Sequence, residues 1–241
     1  MHSSLLLLVL LLGQFTAILT AVPNLSRKCK LSDSACLKKV AQEVLPTVAA
    51  GMPELGTDPL DVMHIDKNKV DVAGLKLLVT DAYVKGLKNA IIESISFDMA
   101  KNTLKILYRT DMGMKSKYKA SGQLLVLPIS GDGDLTINLK NAHFEMTIPF
   151  QIVKNKNGED TLELKSYQYN YDVKDGAHFD LTNLFNGNQQ LSKTLLTFMN
   201  DNWKILSVEF GRPMLEKVQK KIFESMKNYL RSQPLENFVE N

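Results

Sequence analysis

Cysteine is almost missing from this chain: Cys29 and Cys36 are the only two in 241 residues. So few exclude the disulfide-dense small scaffolds, and their spacing is too wide for a thioredoxin-type pair. Histidine is equally sparse. His2, His64, His143 and His178 are scattered, and none stands near the cysteines, so no metal site is expected. Charge of one sign is lacking too. Lys+Arg number 29 against 26 Asp+Glu, a formal net charge of +3 with the signs mixed. No basic face for a nucleic acid follows from that balance. The common catalytic signatures are absent: there is no Gly-x-Ser-x-Gly elbow, no His-Glu-x-x-His and no phosphate-binding Gly-x4-Gly-Lys-Ser/Thr loop. The acidic stretch Asp66–Asp71 fails as a calcium loop, with Asp71 where glycine is needed and Leu77 where the bidentate Glu belongs. No enzyme activity, no cofactor and no metal are expected.

What is present describes a folding chain, with 44% hydrophobic and 23% charged residues. The one long apolar run is at the start, where residues 5–12 read LLLLVLLL and lead to the small-residue stretch ending at Ala21. This pattern is a secretory signal peptide, expected to cover residues 1–21. The run is shorter than the roughly 18–20 residues that cross a bilayer. Residues 22–241 are then expected to be secreted and extracellular, a length that allows one large domain or two small ones. In that oxidising setting Cys29 and Cys36 are expected to form a disulfide, contributing roughly 2.5 kcal/mol by the chain-entropy estimate. Asn24-Leu25-Ser26 is a glycosylation sequon beside the new N-terminus.

Ser32-Asp33-Ser34 offers N-cap side chains to a helix whose apolar positions run from Leu37 to Val48, with Pro46 expected to kink or break it. From about Val70 to Val173 the pattern is β. Leu135, Ile137 and Leu139 alternate with polar residues, and then Phe144, Met146, Ile148 and Phe150 fall on the other parity. A one-residue shift turns every side chain over unless a bulge absorbs it, so a bulge is expected near Asn141-Ala142-His143 in a long, bent strand. Asn155–Gly158 reads as a hairpin turn, and Gly131–Asp134 as another turn. The return strand also switches, from Leu162 and Leu164 to Tyr167, Tyr169 and Tyr171, as a curling sheet requires. Lys115, Lys117 and Lys119 alternate as on a protected edge strand, and Lys217, Lys220 and Lys221 read as the wet side of a helix.

The last fifth of the chain reads as one helix of about 40 residues and about 60 Å, from Gln189 to Arg231 and interrupted only by Gly211 and Pro213. Its apolar positions recur every three or four residues through Met199, Trp203, Leu206, Phe210, Met214, Val218, Ile222 and Met226, with Leu195, Phe198, Leu215 and Phe223 widening the face. So apolar a helix must be wrapped, and the curled sheet is the wrapping available. An elongated apolar gap along the helix would be a ligand site. Phe198, Trp203, Leu206, Phe210, Met214 and Ile222 are candidates for its helix wall, and Phe144, Met146, Phe150, Tyr169 and Tyr171 for its sheet wall. Which strand parity faces inward is left open by the phase switch. Methionines suit such a wall because they adapt to irregular partners.

These residues resemble the takeout and juvenile-hormone-binding protein family of insects over the whole mature chain. The marks are the close cysteine pair, Asp58-Pro59-Leu60-Asp61, Gly131-x-Gly133, and the block Leu184-Phe185-Asn186-Gly187-Asn188 leading to Phe198-x4-Trp203-Lys204, with Pro213 ten residues later. The block looks like takeout members, and the chain lacks the second disulfide of the hormone-binding ones. The resemblance implies a single ligand-binding domain over residues 22–241, an α+β super-roll similar to the lipid-binding modules of bactericidal permeability-increasing proteins. In it a long C-terminal helix is wrapped by a strongly curved antiparallel sheet enclosing an apolar tunnel. It also implies a non-enzymatic carrier of an elongated hydrophobic molecule such as a terpenoid, fatty acid or other lipid. A monomer is expected, touching a membrane surface or receptor during transfer. The other reading is a secreted interaction or signalling protein whose core is filled and whose surface acts.

Overall fold

The computed structural model describes residues 25–240, so the expected signal peptide and Asn24 lie outside the described residues. Helix α1 (Ser34–Ala50) is followed by β1 (Met63–Val72), β2 (Leu75–Lys85), β3 (Ile91–Asp98), β4 (Thr103–Leu124), β5 (Leu127–Lys154), β6 (Asp160–Leu164) and β7 (Gln168–Leu181). Helices α2 (Gln189–Asp201) and α3 (Trp203–Ser232) close the chain. The sheet is antiparallel throughout, in the order β1-β2-β4-β5-β6, with β3 also on β4 and β7 also on β5.

Two strands set the shape. β4 has 22 residues and β5 has 28, so at about 3.3 Å per residue each would reach about 70–90 Å if straight. They curl instead. Register shifts fall between Thr110 and Met112 on β4 and between Lys140 and Ala142 on β5, and Asn141 takes a left-handed φ of 50°. Its backbone N–H donates to Asp111 Oδ1 at 2.7 Å. This is the expected bulge, and it keeps both parities inward: Leu135 on one side of it, and Ala142, Phe144, Met146, Ile148 and Phe150 on the other, are all buried. The result is a half-barrel against which α3 packs through β1, β6 and β7, and α2 through β7.

Four other expectations are corrected. The terminal helix is two helices, because Asn202 leaves helical geometry and turns its side-chain amide back to Phe198 O at 2.8 Å. Proline, by contrast, breaks neither helix. Pro46 sits inside α1, where Gln42 anchors the preceding turn to the edge of β3 by donating to Ala90 O at 2.9 Å and accepting from Ile92 N at 2.8 Å. Pro213 sits inside α3, where Asn68 donates to its carbonyl at 2.9 Å. Gly131–Asp134 is not a turn but part of β5. The segment 182–184 crosses so close that a Cβ on Gly131 would lie 2.8 Å from Asn183 O, and one on Gly133 2.5 Å from Thr182 Oγ1. Finally, the Lys115/Lys117/Lys119 strand is β4, which is flanked by β2 and β5 and is not an edge. Its lysines mark the wet outer face of a half-buried sheet, and Lys117 pairs with Asp134 there.

The start of the chain is fastened at several points. Asp33 caps α1 by accepting from Cys36 N–H at 3.0 Å, and Cys36 is disulfide-bonded to Cys29. Cys29 in turn donates to Phe238 O at 3.0 Å and accepts from Glu240 N at 3.0 Å, so the bridge also holds the C-terminal residues.

Candidate functional site

Between α3 and the curled sheet lies an apolar cavity of about 120 Å³. The helices supply Met199, Leu206, Phe210, Met214, Leu215 and Val218. The sheet supplies Leu75, Leu77 and Val84 from β2, Met112, Met114 and Leu124 from β4, Ile129, Leu135, Ile137 and Leu139 from β5, and Tyr171, Val173, Phe179 and Leu181 from β7. Polar lining is confined to Ser207 and the Tyr171 hydroxyl, and both are satisfied: the phenol donates to the Ser207 carbonyl, and the Ser207 hydroxyl donates to Trp203 O at 2.8 Å. Burial raises the Tyr171 phenol above its ordinary value, so it remains a neutral donor.

The bulge line divides the interior. On the Leu135–Leu139 side the inward side chains are mainly aliphatic or methionine, and space remains. On the other side the roll is filled: Phe144, Met146, Ile148, Phe150, Leu162, Leu164 and Ile222 are buried and pack together. Rings occupy this half, with Tyr108 stacked on Phe144 at 5.0 Å and Phe97 edge-on to Phe150 at 5.4 Å.

The expected wall residues are therefore separated. Tyr171, Leu206, Phe210 and Met214 line the cavity; Phe144, Met146, Phe150, Tyr169 and Ile222 do not, since the first three and Ile222 fill the closed half. Tyr169 instead grips the helix around Pro213: its hydroxyl donates to Arg212 O at 3.0 Å, Arg212 Nη2 donates to Tyr169 O at 2.8 Å, and the guanidinium lies 4.7 Å over its ring. Phe198 and Trp203 flank the helix break, half-buried and away from the cavity lining. The β2 wall, Leu75 and Leu77, escaped sequence reasoning. Its signal was the Leu75-x-Leu77 alternation near the start of the stretch that reads as β.

A second concavity, about 910 Å³, lies between residues 56–67 and the 217–228 stretch of α3. It is polar. Lys221 pairs with Asp58 at 2.8 Å and Lys217 donates to Lys67 O, so two of the lysines read as a wet face also tie the helix to the β1 approach. His64 lines this concavity, between Asp66 (3.4 Å) and Asp81 (2.9 Å), whereas His143 lies elsewhere, beside Glu93 at 3.5 Å.

A roll with an apolar slot is a binding architecture, and the sequence comparison gives it a family. The pattern of the family described as "Haemolymph juvenile hormone binding protein (JHBP)" matches residues 5–240. The chain belongs to that family. Its members bind hydrophobic ligands and are haemolymph proteins without enzymatic activity. Takeout 1 of Epiphyas postvittana is similar in structure, with a TM-score of 0.87 and 41% identity over 89% of this chain and 99% of that one. The circadian clock-controlled protein daywake of Drosophila melanogaster is 29% identical over 90% of this chain and 88% of its own. A putative beta-carotene-binding protein of Schistocerca gregaria is 25% identical over 52% of this chain and 51% of its own.

Proposed function

We propose that the protein is a secreted carrier of an elongated hydrophobic small molecule, a terpenoid, fatty acid or other lipid, held along α3. The observation that carries this reading is the almost wholly apolar slot between α3 and the half-barrel. A cavity near 120 Å³ is close to the size of an engineered apolar cavity of about 150 Å³ that takes up one benzene. A longer cargo must therefore widen the slot. Met112, Met114, Met199 and Met214 line it, and their unbranched side chains re-pack at low cost. At about 0.3 kcal/mol per heavy atom, a cargo of about 20–25 atoms would bind with about −6 to −8 kcal/mol, in the micromolar range. The chain would act as a monomer, and transfer at a membrane surface or receptor belongs to the same reading. Vesicle flotation tests its membrane branch.

The filled half supports a second reading, in which the core is closed and a surface acts on a protein partner. Replacement of Leu206 by Trp separates the two, because the indole would occupy the slot from the α3 wall. The carrier reading expects affinity for a fluorescent apolar probe to fall at least tenfold while circular dichroism stays native. Unchanged probe affinity would favour the closed-core reading.

A further inference from the structure

One polar group in the core has no purpose in packing. Gln219 on α3 is fully buried. Its Oε1 accepts from the Tyr108 hydroxyl at 3.0 Å, but its Nε2, with two N–H donors, has no partner. Such an orphaned donor is destabilising, a cost that a leucine or methionine at this position would avoid. Its location links it to the slot. Val218 beside it and Leu215 one turn earlier both line the cavity. On the sheet, Tyr108, Phe144 and Tyr171 form one cross-strand row, and Tyr171 lines the cavity. The Tyr108–Gln219 pair does not itself line the cavity but adjoins residues that do, so a cargo that widens the slot past Leu215 and Val218 reaches it where the filled half begins.

We propose that Gln219 Nε2 receives the polar end of the cargo, and that this end is a neutral hydrogen-bond acceptor, a carbonyl or ester oxygen, on an apolar chain lying in the slot. The inference rests on the carrier reading. Neutrality follows from the surroundings: Leu215, Val218, Phe144 and Tyr171 offer no positive charge, and an uncompensated carboxylate in such a place is far costlier than an amide. Burial keeps Tyr108 protonated and committed to Gln219 Oε1, which leaves the Nε2 donors for the ligand. The cargo's acceptor exchanges hydrogen bonds with water for one to Gln219, while a pure hydrocarbon would leave the amide unsatisfied. Gln219 would therefore set specificity as well as depth of insertion.

The test pairs pentadecan-2-one with pentadecane as competitors of a bound fluorescent probe, in the wild type and in the Tyr108→Phe/Gln219→Leu double variant, which replaces both polar groups with apolar ones of similar shape. The wild type should prefer the ketone by about tenfold, and the double variant should lose that preference by weakening the ketone alone. If both compounds bind the wild type without preference, or the variant keeps the preference, the assignment of Gln219 is wrong and the carrier reading survives. If neither compound displaces the probe, both fail. Should the double variant not fold, the infrared carbonyl stretch of isotopically labelled ketone bound to the wild type decides the matter. A shift to lower frequency relative to hexane is expected, and an unshifted band overturns the proposal.

Discussion

Replacing Gly211 by Ala should destabilise the protein, although helix propensity alone points the other way. Gly211 is inside α3, where alanine is favoured over glycine by about 1 kcal/mol. Yet an added Cβ would lie 2.3 Å from the Tyr171 hydroxyl oxygen, 2.8 Å from Cζ and 3.0 Å from Cε2. Tyr171 cannot swing away freely, since its hydroxyl donates to Ser207 O and its ring belongs to the row with Phe144. Overpacking of this kind costs about 1–3 kcal/mol, and the lost hydrogen bond about 1 kcal/mol more. After the propensity gain, the net loss is about 1–3 kcal/mol, or about 2–12 °C in Tm for a domain of this size. Urea unfolding followed by circular dichroism gives the sign directly. Tyr171→Phe removes the nearest atom, so the double variant should lose less than the sum of the single losses. A midpoint that rises in Gly211→Ala, or strict additivity in the double variant, would refute the close approach of β7 to α3.

Other consequences are equally open to measurement. Met146→Ala, in the filled half and fully buried, should cost about 2–5 kcal/mol in chemical unfolding and leave probe affinity intact, because Met146 does not line the slot. Replacing Cys29 and Cys36 by Ser should cost about 2–2.5 kcal/mol and speed amide exchange at Glu240, whose N–H donates to Cys29 O; unchanged exchange there would contradict the fastening. All seven tyrosines are raised above their ordinary value near 10: Tyr83 chiefly by Asp81, Tyr118 and Tyr167 chiefly by burial to about 12, and the rest also chiefly by burial. The folded state therefore holds protons that the unfolded chain releases. This stability is complete below pH 10 and declines as pH rises through about 12. Ultraviolet titration should show early, reversible ionisation of Tyr83 and then ionisation of the others together with unfolding. A single reversible step near pH 10 for all seven would be the contrary result.

The fold was legible where one physical demand acted alone. The parity switch between Leu139 and Phe144 has one economical solution, a bulge, and Asn141 supplies it with a left-handed backbone. The Asn155–Gly158 turn is equally local: Asn155 donates to Glu159 O at 2.8 Å and accepts from Gly158 N at 3.0 Å. Features that depend on distant chain were misread. The glycines at 131 and 133 yield to the segment 182–184, some fifty residues downstream, and not to a turn. The helix break at Asn202 lies inside an apolar pattern that continues across it, and only the Asp201-Asn202 pair hinted at a cap. The site divides in the same way. Leu206, Phe210 and Met214 were readable from helical spacing, whereas of the sheet wall only Tyr171 was. Aromatic size drew attention to Phe144 and Phe150, but large rings fill space, and an empty slot persists where the inward residues are leucine, isoleucine and methionine.

Organic extraction of the protein as secreted, followed by mass spectrometry, tests the central claim most directly. The carrier account predicts close to one apolar molecule per chain, bearing a long hydrocarbon portion. Protein that yields no such molecule, and that takes up no apolar probe after extraction, would contradict it.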